Sequence, residues 1–468
     1  MLKHVRSQQA AGRLRQRSRP RFGRIAIAAV TAVVVATAPA AAQRGGIPTA
    51  RDAETEALLR DYLQPLVRAA GVPMPKVNLV TSPDYNAFVT PGNRLFINTG
   101  TIIQSESPNE VIGVLAHELA HLANNDNAQI QQVIEDTSNA MLLAGLLSVG
   151  AAAIGSAAGS EEAASIGSGV FSGIGSLGTR VILRYRREQE AAADRGAVRY
   201  LDATGQSAAG MIASTERLAS QNLFVTQRAN PYLQSHPFPR DRAETISSLA
   251  RNSPNFGRRD PESLRARHNL VRAKLAAFTM SQGAIYRTFP LSDQSLPARY
   301  ARAITEYRSG RPAEALRMID QLIAAQPSNP YFHELKGQAL LEGGNPKASI
   351  APLRKATSLS DNSGLVNIML GQALVAVGGN QNAREAVAVL RIGLQEAPRA
   401  ISGYRLLARA YAMLDDVPMA QLTTAEGLMM QGELSEAKAQ ARRAQANLKR
   451  GTPAWVRADE ILSYNPPR

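Results

Sequence analysis

The chain has 468 residues, enough for two or three domains, and its apolar and charged fractions of 44% and 19% are those of a globular protein. It contains no cysteine, which excludes disulfides, thiolate metal sites, iron–sulfur clusters and cysteine nucleophiles. The net charge is +15, but residues 1–24 hold eight basic side chains and no acid. Without them the net charge is +7, and no basic stripe with interleaved aromatic residues remains to support nucleic-acid binding.

Residues 1–42 have the layout of a secretory signal peptide. A basic segment precedes the uncharged run from Ile25 to Ala38, and the small residues 40–42 end it as an Ala-x-Ala cleavage site. We expect cleavage after Ala42 and export of the remaining chain. A transmembrane anchor is the alternative interpretation.

A helix and three short strands are predicted next. Apolar residues recur at helical spacing over 51–69, and 76–81 has the composition of a strand. Residues 86–89 and 94–98 are predicted to be two more strands around the turn 90–93.

A clear helix start follows these strands. Ser107, Pro108 and Glu110 form a capping-box pattern with proline at the first helical position, and the helix is expected to run to about Asn124. Later helices are predicted over 180–201, 207–220, 264–278 and 435–450.

The segment 138–180 is rich in Ala, Gly and Ser, and 141–160 carries no charge. A 20-residue uncharged run is long enough to span a bilayer, but its small residues give it a weak tendency to insert. A buried or groove-covering helical pair is the favoured interpretation. Contact with a membrane surface and a true membrane span are the alternatives.

The C-terminal part of the chain repeats with a period of 34 residues. Ala303, Gly337 and Gly371 are 34 residues apart, and so are Ala315, Ser349 and Ala383. Small residues at both positions where paired helices cross are typical of tetratricopeptide repeats. We count three clear repeats, followed by an irregular helical end after Ala408.

The sequence His117-Glu118-Leu119-Ala120-His121 lies in the middle of the predicted helix 108–124. Histidines four residues apart share one helix face, so both imidazoles can bind one metal ion. Glu118 lies beside them, placed to act on a water molecule rather than to bind the metal. The pattern therefore predicts a hydrolytic metal site, with zinc favoured and other divalent ions possible.

A catalytic zinc ion needs a third protein ligand. Glu190 and Asp194 are four residues apart on a predicted helix, and the small residues 191–193 between them allow close helix packing. We assign Glu190 as the third ligand and Asp194 as the acceptor for the N–H group of a ligand histidine. Glu188, on another face of the helix, is the rival ligand.

These residues give the chain a recognisable family pattern. His-Glu-x-x-His, followed about 70 residues later by Glu-x-x-Ala-Asp, resembles the gluzincin metallopeptidases of the CAAX-prenyl-protease and HtpX type. The segment Asn86-Ala87-Phe88-Val89 resembles the Asn-Ala-Phe segment upstream in that family. His236-Pro237, with Arg242 six residues after the histidine, resembles its downstream His-Pro motif.

The resemblance implies a zincin-like domain with one zinc ion per chain, in which Glu118 is the general base of peptide hydrolysis. From the residues alone, His236 could be a fourth ligand, a hydrogen-bond donor to the transition state or a loop histidine packed on Pro237. The resemblance implies a place near the metal, as a latch that occupies the open position. Arg242 and Tyr185 are candidates to support an oxyanion or a carboxylate. The strand 86–89 is the candidate partner for an extended substrate.

We expect a mainly α-helical protein with a small β-sheet. It divides into a signal peptide (1–42), a zinc metalloprotease domain (43–251), a linker region (252–295) and an α-solenoid of tetratricopeptide repeats (296–468). With the signal peptide and repeats, the resemblance implies a periplasmic endopeptidase for quality control of outer-membrane β-barrel proteins, with those proteins and their assembly machinery as partners. A periplasmic chaperone or adaptor with rare proteolysis is the alternative.

Overall fold

The computed structural model describes residues 49–137, 184–222, 236 and 240–466. The predicted signal peptide and the uncharged segment 138–180 lie outside the described residues. Within the described residues, no helix combines the length and the apolar character that crossing a bilayer requires.

Helices dominate the described chain, with four short strands near its start. The first part contains β1 (Thr49–Ala50), α1 (Ala53–Ala70), β2 (Lys76–Val80), β3 (Ala87–Thr90), β4 (Arg94–Asn98), α2 (Thr99–Gln104), α3 (Pro108–Asn124), α4 (126–137), α5 (184–203), α6 (Ala209–Asn222), α7 (Arg240–Arg251), α8 (Glu262–Thr279) and α9 (Gln282–Thr288). The second part contains α10 (Leu296–Arg308), α11 (Pro312–Ala325), α12 (Pro330–Glu342), α13 (Pro346–Leu359), α14 (Gly364–Val377), α15 (Asn380–Glu396), α16 (Ile401–Ala412), α17 (Val417–Gln431), α18 (Leu434–Asn447) and α19 (Pro453–Ser463).

The sheet has the strand order β1-β2-β4-β3. Strand β2 runs parallel to β4, whereas β1 and β3 run antiparallel to their neighbours. The three predicted strands are confirmed, and the two-residue β1 is an addition that the sequence analysis did not predict. Strand β3 lies at one edge of the sheet, beside helix α3.

Helix α3 begins as predicted, but the capping box does not form. Ser107 is the N-cap residue and Pro108 is the first helical residue, yet the Ser107 side chain makes no capping hydrogen bond. Glu110 instead accepts a hydrogen bond from Glu106 N–H at 2.9 Å and pairs with Arg217 at 3.0 Å. Glu110 therefore caps the backbone one residue before the expected position, and its other oxygen ties α3 to helix α6. All the residues from Pro108 to His121 are buried.

The second part is a stack of antiparallel helix pairs, as the 34-residue period predicts. A Cβ atom placed on Gly337 would lie 2.4 Å from Cγ of Leu353, and one on Gly371 would lie 2.4 Å from Cγ of Leu390. The pairs α12–α13 and α14–α15 therefore cross at a distance that requires a glycine at positions 337 and 371. Ala303 is also buried at its crossing position.

Helix α8 joins the two parts of the described chain. It packs against α1 on one side and against α10 on the other. Lys274 of α8 is buried and its Nζ lies 2.6 Å from Asp52, 3.4 Å from Glu54 and 3.6 Å from Glu334. Because Asp52 and Glu54 belong to the start of α1 and Glu334 to α12, this ion cluster holds the sheet-containing part against the repeats.

Candidate metal centre

Two histidine side chains of helix α3 face the same point. His117 and His121 are four residues apart, so both imidazoles project from one face of the helix. Their Nε2 atoms are 3.1 Å apart, and both residues are buried.

A carboxylate from helix α5 completes this group. Glu190 Oε2 lies 3.4 Å from His117 Nε2, and Glu190 Oε1 lies 3.5 Å from His121 Nε2. Glu188, the rival candidate, is exposed and pairs with Arg184 at 2.9 Å. The helix face chosen from the sequence is therefore the one that meets the histidines.

Small residues bring helices α3 and α5 into contact. A Cβ atom on Gly196 would lie 2.9 Å from the Cβ atom of Ala120. Ala193 is also fully buried between the two carboxylates of α5. This close approach brings the short Asp194 and Glu190 side chains within reach of both histidines.

His236 supplies a fourth donor. Its Nδ1 atom lies 2.8 Å from Glu190 Oε1 and 3.5 Å from His117 Nε2, and its Nε2 atom lies 3.4 Å from Glu118 Oε1. One ligand atom from each of His117, His121, Glu190 and His236 falls within 4.8 Å of the other three. Three imidazole nitrogens and one carboxylate oxygen form a donor set that suits zinc and similar divalent ions.

Glu118 provides an independent test of whether a cation fits. Its side chain is fully buried, and neither of its carboxylate oxygens has a hydrogen-bond partner among the described residues. A buried carboxylate without partners is costly unless a cation or a bound water lies near it. These oxygens accept no hydrogen bond, and Oε1 lies 3.4 Å from His236 Nε2, next to the other donors. The residues therefore fit a metal ion that binds a water molecule.

Each histidine of helix α3 has its own carboxylate behind it. Asp194 Oδ1 lies 3.0 Å from His117 Nδ1, and Asp126 Oδ2 lies 2.6 Å from His121 Nδ1. Both contacts occupy Nδ1 and direct Nε2 towards the centre of the site, which is the usual arrangement behind metal-binding histidines.

The sequence analysis predicted Asp194 but missed Asp126. Asp126 lies just beyond the C-terminus of α3, where Asn125 adopts a left-handed conformation with φ of 57°. That turn reverses the chain so that Asp126 reaches back to a histidine one helical turn earlier. The signal available in the sequence was the Asn-Asn-Asp segment 124–126, typical of a left-handed helix end.

Arg242 of helix α7 bridges the two carboxylates of α5. Its guanidinium lies 2.7 Å from Asp194 Oδ2 through Nε and 2.5 Å from Glu190 Oε2 through Nη1. Arg242 is buried, so it balances negative charge inside the site and holds the two carboxylates in position. Tyr185, the other candidate support, instead donates a hydrogen bond to Gln129 at 2.7 Å.

The pKa values of these groups are strongly shifted. Burial raises the pKa of Glu190, but the charge of His236 and hydrogen bonds from three histidines outweigh burial and hold it well below the ordinary value. Burial likewise opposes ionisation of Asp194, yet Arg242 and His117 lower its pKa to about 2. Burial lowers the pKa of His121, whereas hydrogen bonds to Asp126 and Glu190 raise it to about 10. Metal binding at these residues must therefore displace protons from the histidines.

A cleft of about 120 Å³ opens onto the site. Phe88 and Val89 of the edge strand line one side, and Glu118 and His236 line the floor. The structure therefore brings two of the four predicted strand residues, Phe88 and Val89, to the cleft that contains the predicted metal ligands.

Two parts of the chain match known families. Residues 52–250 match the family described as peptidase family M48, and residues 300–363 match the tetratricopeptide repeat. The first match contains all four metal-donor residues, and the second covers the start of the helical stack.

The chain is similar to curated proteins with the same two parts. It is 26% identical over 392 residues to the β-barrel assembly-enhancing protease of Yersinia pestis, a match that covers 81% of this chain and 76% of that protein. The protein of the same name from Escherichia coli (strain K12) is 24% identical with the same coverage. Protease HtpX of Shewanella baltica (strain OS195) is 30% identical over 184 residues, covering 37% of this chain and 62% of that protein.

Proposed function

We propose that residues 52–250, which match peptidase family M48, form a zinc-dependent endopeptidase of the periplasm. Its proposed substrates are unfolded or misassembled outer-membrane β-barrel proteins. The donor set of three imidazoles and one carboxylate carries the chemical part of this proposal, together with the buried carboxylate of Glu118, which accepts no hydrogen bond from the described residues.

In the proposed site, His117, His121 and Glu190 hold one zinc ion. When bound, zinc polarises the scissile carbonyl and lowers the pKa of a bound water molecule from about 16 towards 7. Asp194 and Asp126 fix the orientation of the two ligand histidines, and Arg242 holds the carboxylates of α5.

Glu118 is the proposed general acid and base. Its carboxylate takes a proton from the attacking water and returns it to the leaving amine. Full burial and the lack of competing hydrogen bonds leave both of its oxygens available for this transfer. Removing the carboxylate while keeping the shape should therefore abolish turnover without removing the metal.

The substrate is proposed to bind as an extended strand along β3. The peptide groups of Ala87 and Val89 face away from β4 at the edge of the sheet, and Val89 also lines the cleft. Main-chain pairing of this kind selects unfolded or strand-like segments rather than one side-chain sequence. This preference suits a protease that removes proteins that failed to fold.

The predicted signal peptide supports the periplasmic location, and the names of the curated relatives support the substrate class. The tetratricopeptide repeats supply a surface for substrates or for assembly machinery. In this proposal the repeats bind substrates and bring them to the cleft of the protease domain.

A chaperone or adaptor that seldom cleaves is the second candidate function. The position of His236 favours it, because this side chain lies within the donor set at 2.8 Å from Glu190. A fourth protein donor would occupy the position that an activated water needs. His236 is therefore the proposed latch: while its side chain occupies the water position, the site cannot cleave, and cleavage requires that the side chain leave.

The test is to produce residues 43–468, purify them without chelator, and measure zinc content beside casein cleavage, with E118Q as control. We expect one zinc ion per chain in both proteins and cleavage only in the wild type. Zinc without cleavage would favour the chaperone, and H236A should then restore cleavage if the latch blocks the site. A protein that binds no zinc would contradict the ligand assignment.

A further inference from the structure

The outer edge of strand β3 exposes a regular set of main-chain groups. Asn98 N–H donates to Asn86 C=O at 2.9 Å, so these two residues form a hydrogen-bonded pair of the antiparallel ladder. Such pairs alternate with non-hydrogen-bonded pairs along a ladder. The N–H and C=O groups of Ala87 and Val89, whose partners in β4 belong to the second kind, therefore point away from the sheet.

One of these outward groups already has a partner. The Nδ2 atom of Asn127, in the first turn of helix α4, donates to Val89 C=O at 3.0 Å. A side-chain amide thus makes the hydrogen bond that an added strand would make through its backbone N–H. Asn127 is half-buried and follows Asp126 directly, so the turn that orients Asp126 also places this amide.

The hydrogen bond between Asn127 and Val89 lies between two cavities. The cleft of about 120 Å³ contains Val89, Glu118 and His236, and a second cavity of about 230 Å³ lies beside the turn 90–93. Both cavities are lined by His121 and Asn127. Val89 lines the first cavity and Thr90 lines the second, so the strand passes from one to the other at the carbonyl group that the Asn127 amide binds.

We infer that Asn127 determines substrate specificity by partly blocking the substrate groove of the protease. We call its side chain, hydrogen-bonded to Val89 C=O, the bar. Its amide competes with the backbone N–H of a bound strand for Val89 C=O, and it separates the space beside Glu118 from the space beside the turn 90–93. Only a segment that displaces this amide extends through both cavities. The inference rests on the proposed function, because it concerns how the same cleft selects its substrate.

The bar acts on binding rather than on the chemical step. A substrate that pairs with Val89 C=O must break the existing hydrogen bond, which has the net strength of one ordinary intramolecular hydrogen bond. Removing the amide should therefore tighten binding of an extended polypeptide about three- to tenfold. Because Asn127 does not touch Glu118, kcat should not change.

The experiment measures binding and turnover separately. Zinc-loaded E118Q binds fluorescein-labelled casein without cleaving it, and its Kd is compared with those of E118Q/N127A and E118Q/N127S by fluorescence anisotropy. The single variants N127A and N127S then give KM and kcat for casein cleavage. Serine keeps a polar side chain that is too short to reach Val89 C=O. N127S therefore separates the loss of the hydrogen bond to Val89 from the loss of a polar side chain.

The matched control is N78A. The Nδ2 atom of Asn78 also donates to a strand carbonyl, that of Leu95 at 3.3 Å, but away from the cleft. Zinc content and the thermal unfolding midpoint of each variant exclude a general loss of structure. N78A should leave Kd, KM and kcat at their wild-type values.

A lower Kd and a lower KM at constant kcat in both Asn127 variants would support the bar. An unchanged or higher Kd, with casein still bound and cleaved by the wild-type site, would overturn the bar and leave the proposed function standing. A wild-type chain that neither holds zinc nor cleaves casein in a Glu118-dependent way would instead remove the proposed function and this inference with it.

Discussion

The Nδ1 atom of His121 lies 2.6 Å from Oδ2 of Asp126, the shortest of the contacts that hold the two histidines of helix α3. This contact fixes which ring nitrogen faces the site. With Nδ1 committed to Asp126, the Nε2 atom points at Glu190 and His117. Asp126, which lies outside helix α3, therefore fixes the orientation of the His121 ring that the helix supplies.

The first prediction concerns this contact. D126N replaces a charged acceptor by a neutral amide of the same size, which weakens the orientation of His121 and the basicity of its Nε2. Losses of this kind lower metal affinity about 10- to 100-fold. The measurement is zinc competition against a chromophoric chelator at fixed pH. D136N, on the exposed face of the same helix α4, is the control and should keep wild-type affinity.

The second prediction concerns Arg242. R242Q leaves Glu190 and Asp194 buried next to each other without their cation, and an uncompensated buried charge costs about 3–5 kcal/mol. We expect the free energy of unfolding of the zinc-free protein to fall by this amount in urea titrations. R184Q removes the exposed pair between Arg184 and Glu188 and should cost about 0.5 kcal/mol or less. Equal losses in both variants would contradict the bridging role.

Much of this site follows from periodicity alone. Residues four apart on one helix share a face, so the pairs His117–His121 and Glu190–Asp194 could be assigned before the fold was known. Small residues at 191–193 and at the repeat positions predicted close helix contacts, and Gly371 beside Leu390 confirms one of them.

Other features depend on contacts that no local pattern encodes. Asp126 reaches His121 only because Asn125 adopts a left-handed conformation, and Asn127 reaches Val89 only because β3 lies at the sheet edge. The capping box is incomplete, and Glu110, which the pattern had assigned to the cap, also accepts a hydrogen bond from Arg217, more than a hundred residues away. Sequence periodicity predicts which face a residue occupies, but the partner on that face comes from the tertiary fold.

The third prediction is a pH dependence that comes from His268. This residue is fully buried, with Nδ1 3.0 Å from the Tyr62 hydroxyl and Nε2 3.1 Å from Ser105 C=O. Burial lowers the pKa of His268 to about 4. Because the unfolded chain binds the proton more readily, this contribution to stability is complete above pH 6.5 and is lost as the pH falls below it.

The loss from His268 should reach about 2–3 kcal/mol by pH 4.5. Glutamine also carries one acceptor and one donor but does not titrate, so H268Q should lose that much less stability than the wild type between pH 7 and pH 4.5. Urea unfolding at the two pH values measures the difference. Parallel profiles for H268Q and the wild type between pH 7 and pH 4.5 would contradict the assignment.

The fourth prediction uses the close crossing of helices α14 and α15. An alanine usually stabilises a helix by about 1 kcal/mol relative to glycine. At Gly371 the added Cβ would lie 2.4 Å from Cγ of Leu390, so G371A must push the helices apart or force Leu390 off its rotamer. We expect a net loss of about 1–3 kcal/mol in the free energy of unfolding of the repeats.

G283A in helix α9 separates the two effects. Its new Cβ would meet only Arg287 Nη1 at 3.6 Å, which is an ordinary contact. This variant should therefore gain stability by up to about 1 kcal/mol. Opposite signs for the two substitutions in urea titrations would show that close helix crossing, and not helix propensity, requires the glycine at position 371. A stabilising G371A would mean that the repeats pack less tightly there than the position of Leu390 indicates.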